Sequence, residues 1–346
     1  MAGQYQSLTI VAGTWFPVEY KGQKVGGCGA TCSGCISLQT TEPQDYLSLS
    51  YPGLDVLSLK TAVDTAITRG GGSSIIISGK REPTRHPSQI SEILESLGNT
   101  NPIKEIQTTG LDIMKPAYSE KGGWLDRWYD KGLRIISLSL VDIDQQNNNN
   151  YFCRTNIEKY PPMDVLTNML QGKGFTVRWS IIQMHPYITT PEGIEKVVNY
   201  AREFDKVQVS LRPLTTTEPR PDFPIGMKTY DWVKEHCMTK EEVKKISEYI
   251  TGNTRKEDVC KYLAHDAVVY NYRGPGRKQK PQNLALSDCV THKPEQDMKT
   301  GMQRQLIYYP NGRIANSWTL SSDLMLDLGR DAREWMKEQK EKKSKT

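Results

Sequence analysis

Three cysteines stand close together near the amino terminus, within the segment Gly26-Gly-Cys-Gly-Ala-Thr-Cys-Ser-Gly-Cys-Ile36. Cys28, Cys32 and Cys35 follow the spacing CxxxCxxC. Three such thiolates can bind three irons of a cubane cluster and leave the fourth iron open to a small molecule. The same residues are also consistent with a zinc site whose fourth ligand lies elsewhere in the chain. The spacing therefore predicts a metal centre, and its neighbours must decide which one.

Apolar segments on both sides of these cysteines predict the elements that position them. Leu8-Thr-Ile-Val-Ala12 predicts a buried strand before the loop, and Ser74-Ile-Ile-Ile-Ser78 predicts a second strand after it. The second strand leads directly into Gly79-Lys-Arg-Glu-Pro-Thr84. Glycines in the cysteine loop give its backbone the freedom to surround a bulky cluster.

A CxxxCxxC loop after a first strand, with a Gly-X-X-Glu-Pro segment ending a second strand, resembles the radical S-adenosylmethionine (SAM) superfamily. In that family the second segment is usually Gly-Gly-Glu-Pro. Here Lys80 and Arg81 stand before Glu82 where the family usually has two glycines. The general layout is most similar to the branch that contains the molybdenum-cofactor biosynthesis enzyme and the peptide maturases.

Strand-like and helix-like segments alternate six times up to residue 213. By itself this alternation indicates parallel strands joined by right-handed helical crossovers, with functional loops at the strand carboxyl ends. The resemblance implies an α/β fold, a partial (βα)6 radical SAM barrel in residues 1–213 with the cluster loop at 26–36. The further strands are predicted at Ile103–Gly110, Arg134–Asp142, Phe175–Ile182 and Val207–Pro213, and helices at 54–69, 87–98 and Pro191–Phe204.

The resemblance also implies the chemistry. Cys28, Cys32 and Cys35 would bind a [4Fe-4S] cluster as thiolates, and its open iron would bind the amino and carboxylate groups of SAM. One electron, from a donor such as a flavodoxin or a ferredoxin, would cleave SAM into methionine and a 5'-deoxyadenosyl radical that abstracts hydrogen from a substrate. We therefore expect an oxidoreductase or a transferase.

Further positions match family patterns that bind SAM. The glycine and the glutamate after the second strand would hold the amino group of the methionine part of SAM. Hydroxyl side chains at the ends of the third and fourth strands would contact SAM, and an arginine in the fifth strand would bind the SAM carboxylate. Each position also has a purely structural interpretation. The glycine and the glutamate would form a charged turn at the strand end, the hydroxyl residues would be inward-facing polar strand positions, and the arginine would form an ion pair within the barrel. The residues are Gly79, Glu82, Thr109, Ser139 and Arg178.

Residues 214–330 are expected to form an α+β capping region that shapes the substrate site, followed by a basic tail at 331–346. Leu214–Pro224 is rich in Thr and Pro and indicates a linker or an ordered loop. Asp231–Ile250 has helix-like spacing, and the Pro-Asn-Gly turn within Met302–Trp318 predicts a β-hairpin. The tail is typical of a solvated helix end, with a nucleic-acid contact as the alternative.

The other cysteines lack convincing metal-site spacing, since no CxxC pair follows Cys35. Ordinary buried or surface cysteines are favoured, and a zinc site or an auxiliary iron–sulfur cluster are the alternatives. The residues concerned are Cys153, Cys237, Cys260 and Cys289, with His265 and His292.

Two further segments have simple interpretations. Arg273–Pro281 is basic and rich in glycine, and Tyr270 and Tyr272 precede it. It is consistent with a mobile surface loop, or with a phosphate-binding loop whose tyrosines stack on bases. The run Asn147–Asn150 predicts a flexible loop after the fourth strand.

Composition adds broad limits. A chain of 346 residues can bury a sizeable core, and its formal charge of +5 is modest. It contains no apolar run of the roughly 18 residues that a membrane helix needs. The start of the sequence does not resemble a secretory signal, and seven cysteines fit a reducing compartment better than a disulfide framework. A cytoplasmic protein is therefore expected.

The substrate stays open between a nucleotide or nucleic acid and a peptide or protein, because a fold does not fix a substrate. Strong salt dependence of substrate binding would favour the first class. A catalytically silent iron–sulfur binding or sensing protein on the same barrel is the alternative, and Lys80 and Arg81 are the residues that support it.

Overall fold

The structure is a computed structural model of the chain. It describes residues 4–13, 17–20, 23–35, 37–38, 54–79, 81–98, 100–154, 159–214, 216, 224–262, 268–286, 302–310, 312–316, 318 and 324–327. The sequence predictions for Lys80, His265, Cys289, His292, Asn311 and residues 331–346, and most of those for Leu214–Pro224, lie outside the described residues.

The elements follow one another as strands and helices along the chain. The strands are β1 (Gln4–Val11), β2 (Pro17–Tyr20), β3 (Gln23–Gly26), β4 (Ser74–Ser78), β5 (Ile103–Thr108), β6 (Leu133–Leu140), β7 (Thr176–Gln183), β8 (Val207–Pro213), β9 (Val259–Tyr262), β10 (Val268–Tyr272), β11 (Gln282–Leu286), β12 (Met302–Tyr308), β13 (Arg313–Ala315) and β14 (Leu324–Asp327). The helices are α1 (Val56–Val63), α2 (Pro87–Leu97), α3 (Pro116–Ser119), α4 (Trp124–Asp130), α5 (Gln145–Phe152), α6 (Met163–Gly172), α7 (Pro191–Ala201), α8 (Pro224–His236) and α9 (Lys240–Gly252). A π-helical turn at Asp64–Arg69 continues α1, and 3-10 turns lie at Pro83–Arg85, Lys256–Asp258 and Pro275–Arg277.

One sheet contains twelve of the strands, in the order β14-β13-β12-β1-β4-β5-β6-β7-β8-β11-β10-β9. From β12 to β11 in that order, every neighbouring pair is parallel. The pairs beyond them at each end are antiparallel, and β2 with β3 forms a separate hairpin. The sheet curls into a partial barrel, which confirms the predicted α/β class.

Side chains alternate between two environments along the parallel strands. In β1, Leu8 and Ile10 are fully buried in the main apolar core, whereas Ser7 and Thr9 line an internal cavity. In β4, Ile75 belongs to the same core and Ser74 lines the same cavity. Apolar residues therefore fix the helices to the outside of the barrel, and many polar residues face its inside.

The six predicted barrel strands are present as β1, β4, β5, β6, β7 and β8, and the three predicted helices correspond to α1 with its π-helical turn, α2 and α7. Between β1 and the cysteine loop, the structure contains the β2–β3 hairpin, which the sequence did not predict. Within the described residues, no helix is both long and apolar enough to cross a membrane.

The described residues after 213 add strands to both edges of the barrel. Strand β11 pairs in parallel with β8, and β12 pairs in parallel with β1. The predicted hairpin is present as β12 and β13. The segment Asp231–Ile250 contains parts of two helices, α8 and α9, and the turn between them includes the N-cap residue Thr239. The proposed domain division at residue 213 stays a prediction.

The flexible loop predicted at Asn147–Asn150 is wrong, because these residues lie in α5. The Asp144 carboxylate accepts hydrogen bonds from the backbone amides of Gln146 and Asn147 at the start of the helix. Asn148 is fully buried, and its side chain accepts from the Val141 amide at 2.9 Å and donates to the Asp142 carbonyl at 2.7 Å. Local hydrogen bonds thus offset the weak helix propensity of asparagine.

Candidate functional site

The cysteine loop follows β3 and contacts the C-terminal end of α5. The Thr31 amide donates to the Phe152 carbonyl at 2.8 Å, and Arg154 bonds the Ser33 hydroxyl. Tyr151, the residue before Phe152, is 3% exposed. Helix α5, which sequence analysis missed, therefore holds the loop in place.

The three cysteines are partly buried and close enough to influence one another. Burial, then the charges of Glu82 and Cys35, raise the pKa of Cys28 to about 12. Burial, followed by Cys35 and Cys28, raises the pKa of Cys32 well above the ordinary thiol value. Thiols in such surroundings stay protonated unless a bound cation stabilises their thiolates, and metal binding would release those protons.

The loop has the donor set for an iron–sulfur cluster. Among the described residues, no three His, Cys, Asp or Glu side chains converge on a single metal ion. A cubane does not require such convergence, because each thiolate binds a different iron. Side chains also close around the loop backbone: a Cβ added to Gly29 would lie 2.2 Å from Arg85, and one added to Gly34 would lie 2.7 Å from Trp232. The residues present therefore fit a cluster held by three thiolates.

Two aromatic residues cover this loop from different parts of the chain. Tyr151 of α5 and Trp232 of α8 have ring centroids 5.9 Å apart, and Trp232 stacks on His236 at 4.0 Å. Burial, then Cys32 and Cys35, raise the pKa of the Tyr151 hydroxyl well above its usual value. Neither aromatic was identified from the sequence, because only the tertiary structure brings α5 and α8 to the cysteines.

Glu82 lies at the centre of a buried hydrogen-bond network at the carboxyl ends of β4 and β5. One carboxylate oxygen accepts from the Thr84 amide at 3.1 Å and from the hydroxyls of Thr84 and Thr108 at 2.7 and 2.6 Å. The other accepts from the amide and hydroxyl of Thr109 at 2.8 and 2.6 Å. Because a carboxylate offers about four acceptor sites, this network uses the capacity of Glu82.

Of the other proposed SAM-binding positions, Gly79 needs to be glycine, since a Cβ there would lie 2.4 Å from the Arg81 carbonyl oxygen and 2.5 Å from that of Ala12. Thr109 immediately follows β5, and Ser139 lies near the end of β6, where its carbonyl accepts from the Tyr160 hydroxyl at 3.0 Å. These residues lie at one end of the barrel. Their roles toward SAM stay predictions.

Arg178 lies deeper, in the middle of β7. Its guanidinium donates to the carboxylate of Glu105 on β5 and to Gln208 on β8, the latter at 2.8 and 3.0 Å. This is the ion pair within the barrel that the sequence left open as the structural alternative.

An internal cavity of about 690 Å³ occupies the inside of the curled sheet. Gly79 and Ser37 line it on the side of the cysteine loop, and Glu105, Arg178 and Arg212 line it on the strands. Ligand pockets commonly measure about 300–1,000 Å³, so this cavity has the size for a small molecule or part of a larger one.

Structure comparison identifies crystal structures of SuiB from Streptococcus suis. SuiB bound to S-adenosylmethionine aligns with a TM-score of 0.55 at 14% sequence identity, over 95% of this chain and 63% of SuiB. SuiB bound to its precursor peptide SuiA aligns with a TM-score of 0.53 at 14% identity, over 95% of this chain and 64% of SuiB. SuiB is a radical SAM enzyme. This chain has the radical SAM fold.

The radical SAM fold confirms the resemblance that was based on the cysteine and Gly-X-X-Glu-Pro segments. The chain spans about 64% of the length of SuiB. No protein-family model and no curated protein matches the sequence.

Of the other described cysteines, Cys153 lies between Phe152 and Arg154, both of which contact the cluster loop. Cys153 follows α5 and is buried, the Cys237 thiol lies 3.6 Å from the Lys234 carbonyl oxygen, and Cys260 is exposed on β9. Their roles were left open by the sequence and stay open as predictions.

Two tyrosines precede the basic segment Arg273–Pro281, and neither is available for stacking. Tyr272 is fully buried and bonds the Glu195 carboxylate, and Tyr270 is 7% exposed. Arg273 pairs with Asp258 at 3.2 Å. These contacts argue against a surface on which nucleic-acid bases stack.

Proposed function

We propose that this chain is a radical SAM enzyme that modifies a peptide or protein. The observation that carries the proposal is a cluster-type cysteine loop beside the carboxyl ends of a parallel radical SAM barrel, with a cavity of about 690 Å³ next to it. The chain's own residues supply the thiolates, a buried network at the strand ends and a partly enclosed reaction space. A reduced flavodoxin or ferredoxin is the proposed electron donor.

In this proposal Cys28, Cys32 and Cys35 hold a [4Fe-4S] cluster. When bound, the reduced cluster supplies the electron for reductive cleavage of SAM and so generates the radical that abstracts hydrogen. The contribution of the protein is to shield the thiolates with Tyr151 and Trp232 and to fix the loop backbone on α5.

The strand ends contribute rigid geometry in this proposal. Glu82 fixes the backbone and hydroxyl of Thr109, and Gly79, which lines the cavity, is our candidate for a backbone contact with the methionine part of SAM. Both carboxylate oxygens of Glu82 already accept hydrogen bonds from the protein, so we assign Glu82 the role of positioning these groups. The contact between Glu82 and the SAM amino group, expected from the sequence, stays a prediction. Ser139 and Arg178 stay candidates for binding SAM.

A peptide or protein is the favoured substrate class for two reasons. SuiB, which shares the fold, was crystallised with a precursor peptide. The tyrosines beside the basic loop, which supported a nucleic-acid substrate, are buried. The nucleotide alternative and the catalytically silent alternative are separated from this proposal by experiment.

The test is anaerobic reconstitution with iron and sulfide, followed by dithionite and SAM and chromatographic detection of 5'-deoxyadenosine. We expect wild type and the control Cys237→Ala to bind a cluster and form 5'-deoxyadenosine, and Cys32→Ala to lose both. A random-sequence peptide pool should raise the yield more than a pool of nucleoside triphosphates. A wild-type protein that takes up no cluster would overturn the proposal, and a cluster without SAM cleavage in either pool would favour the silent binding protein.

A further inference from the structure

Two arginines that line the barrel cavity have different surroundings. Arg178 on β7 is neutralised by Glu105 and also bonds Gln208. The side chain of Arg212 on β8 makes no hydrogen bond or ion pair with any residue that the structure describes, and its Nε is buried. A buried N–H without an acceptor costs free energy, all the more on a charged group. Arg212 is therefore suited to an acceptor that a ligand brings.

A second cation lines the same cavity. Lys261, on β9, lines the cavity and has no carboxylate within ion-pair distance among the described residues. Glu105 is the acidic residue in the described lining, and one of its oxygens is already bonded to Arg178. The part of the cavity lined by β8, β11, β10 and β9 thus carries positive charge that the described lining does not neutralise.

We propose that Arg212, assisted by Lys261, binds a carboxylate of the substrate inside the barrel cavity, either an acidic side chain or a carboxyl terminus. The choice of a peptide rests on the proposed function. A guanidinium matches a carboxylate with paired N–H donors, and this match is stronger where water is partly excluded. Arg212 then acts as a specificity residue for acidic peptides.

The position of Arg212 favours a carboxylate over a phosphate. Phosphate sites commonly combine a cation with free backbone N–H groups of a helix N-terminus or a glycine-rich loop. Arg212 lies in a strand that pairs on one side with β7 and on the other with β11. The backbone N–H groups of such a strand are largely committed to the sheet, so the long side chains of Arg212 and Lys261 must supply the recognition.

Cys260 provides a probe of this charge that needs no substrate. Cys260 is an exposed residue that precedes Lys261 and lines the same cavity. Alkylation by anionic iodoacetate and by neutral iodoacetamide depends equally on the thiolate fraction, so the ratio of the two rates reports the local potential. Peptide mass spectrometry separates Cys260 from the other cysteines.

We expect Arg212→Gln to lower this ratio at Cys260 about two- to fivefold at low salt, where the lost charge is least screened. Arg212→Lys should largely retain the ratio. Arg69→Gln is the matched control, because Arg69 is an exposed arginine paired with Asp64 and should leave the ratio unchanged. Urea unfolding of each variant separates a change in potential from a loss of fold. An unchanged ratio in a folded Arg212→Gln variant would overturn the charged site.

The second arm tests the ligand. N-acetyl-glutamate N-methylamide should slow the reaction of Cys260 with iodoacetamide, the matching glutamine compound should not, and Arg212→Gln should lose the effect. Equal protection by both compounds, or stronger protection by inorganic phosphate, would overturn the carboxylate assignment. These measurements do not depend on cluster loading or SAM cleavage. Failure here with intact SAM cleavage would therefore affect only this inference, whereas loss of the cluster would affect only the proposed function.

Discussion

Two buried glutamates in neighbouring strands of the barrel have opposite surroundings. Glu82, at the end of β4, is 2% exposed, and threonine donors surround both of its oxygens. Glu105, in the middle of β5, is 3% exposed, but only one of its oxygens has a hydrogen-bond partner, Arg178, and the other oxygen has none within the described residues. The two carboxylates are equally hidden from solvent and unequally satisfied.

This difference separates a part of the molecule built for rigidity from a part built to receive a ligand. A fully satisfied buried network fixes the groups that form it, which suits strand ends that must position a reactive cofactor. Unsatisfied buried groups cost stability and persist where another component supplies their partners. Glu105 Oε1 and Arg212 Nε both lie in residues that line the cavity, which agrees with this interpretation.

The largest expected effect comes from breaking the satisfied network. Glu82→Ala should lower the free energy of unfolding by about 4 kcal/mol, because several buried donors lose their acceptor at once. The measurement is urea unfolding followed by circular dichroism. Glu95→Ala, at an exposed glutamate paired with Lys131, is the control and should change stability by less than about 1 kcal/mol.

If Glu82→Ala does not fold, Thr109→Val gives a smaller version of the same test. It removes one hydroxyl donor to Glu82 and keeps the backbone donor, so a loss of about 1 kcal/mol is expected. Equal stability of Glu82→Ala, Glu95→Ala and wild type would contradict the contrast between the two glutamates.

A smaller effect is expected when the ion pair of the cavity is broken. Arg178→Met leaves the buried Glu105 charge without its cation and should cost about 3 kcal/mol. The double variant Glu105→Gln/Arg178→Met should recover much of that loss, since no buried charge remains. Urea unfolding of both single variants and the double variant gives the coupling energy. Simple additivity would show that the pair does not act as a unit.

An effect smaller than those of Glu82→Ala and Arg178→Met is expected from the titration of His86, which lies near the end of β4. Burial lowers the pKa of His86 to about 4 from its ordinary value of 6.5, so the folded protein keeps this histidine neutral. Between these values the unfolded chain binds a proton that the folded chain excludes, and stability must therefore fall as pH is lowered through this window. The loss by about pH 4 should be on the order of 2 kcal/mol.

His86→Asn isolates this contribution, because asparagine can also accept the Gln89 amide at the start of α2 and does not titrate. The stability difference between wild type and the variant, measured by urea unfolding from neutral pH to about pH 4, should change in the variant's favour as pH falls. A difference that stays constant over this range would show that His86 is not the group that titrates.

Much of the fold could be predicted from the sequence because its signals are local. The apolar runs of β4 and β8 and the helical spacing of α2 and α7 predicted elements with nearly the observed bounds. The asparagine run in α5 misled the prediction, since its helix depends on specific bonds made by Asp144 and Asn148. Composition does not encode such bonds.

The site was predicted in part for the same reason. Cysteine spacing and the Gly79–Glu82 segment are contiguous in sequence and identified one end of the barrel. The pairing of Arg178 with Glu105 joins residues that are 73 positions apart, and Trp232 reaches the cysteine loop from α8. Contacts of this separation leave no local pattern.

The sequence by itself predicted a ligand set at Cys28, Cys32 and Cys35 and determined the alternation of strands and helices, because spacing and periodicity are properties of neighbouring residues. Only the tertiary structure decided that β11 and β12 extend the two edges of the barrel. It also decided which buried charges are neutralised and which are left to a ligand, as at Arg178 and Arg212. The physical reason is that strand pairing and charge compensation depend on which distant segments meet when the sheet curls.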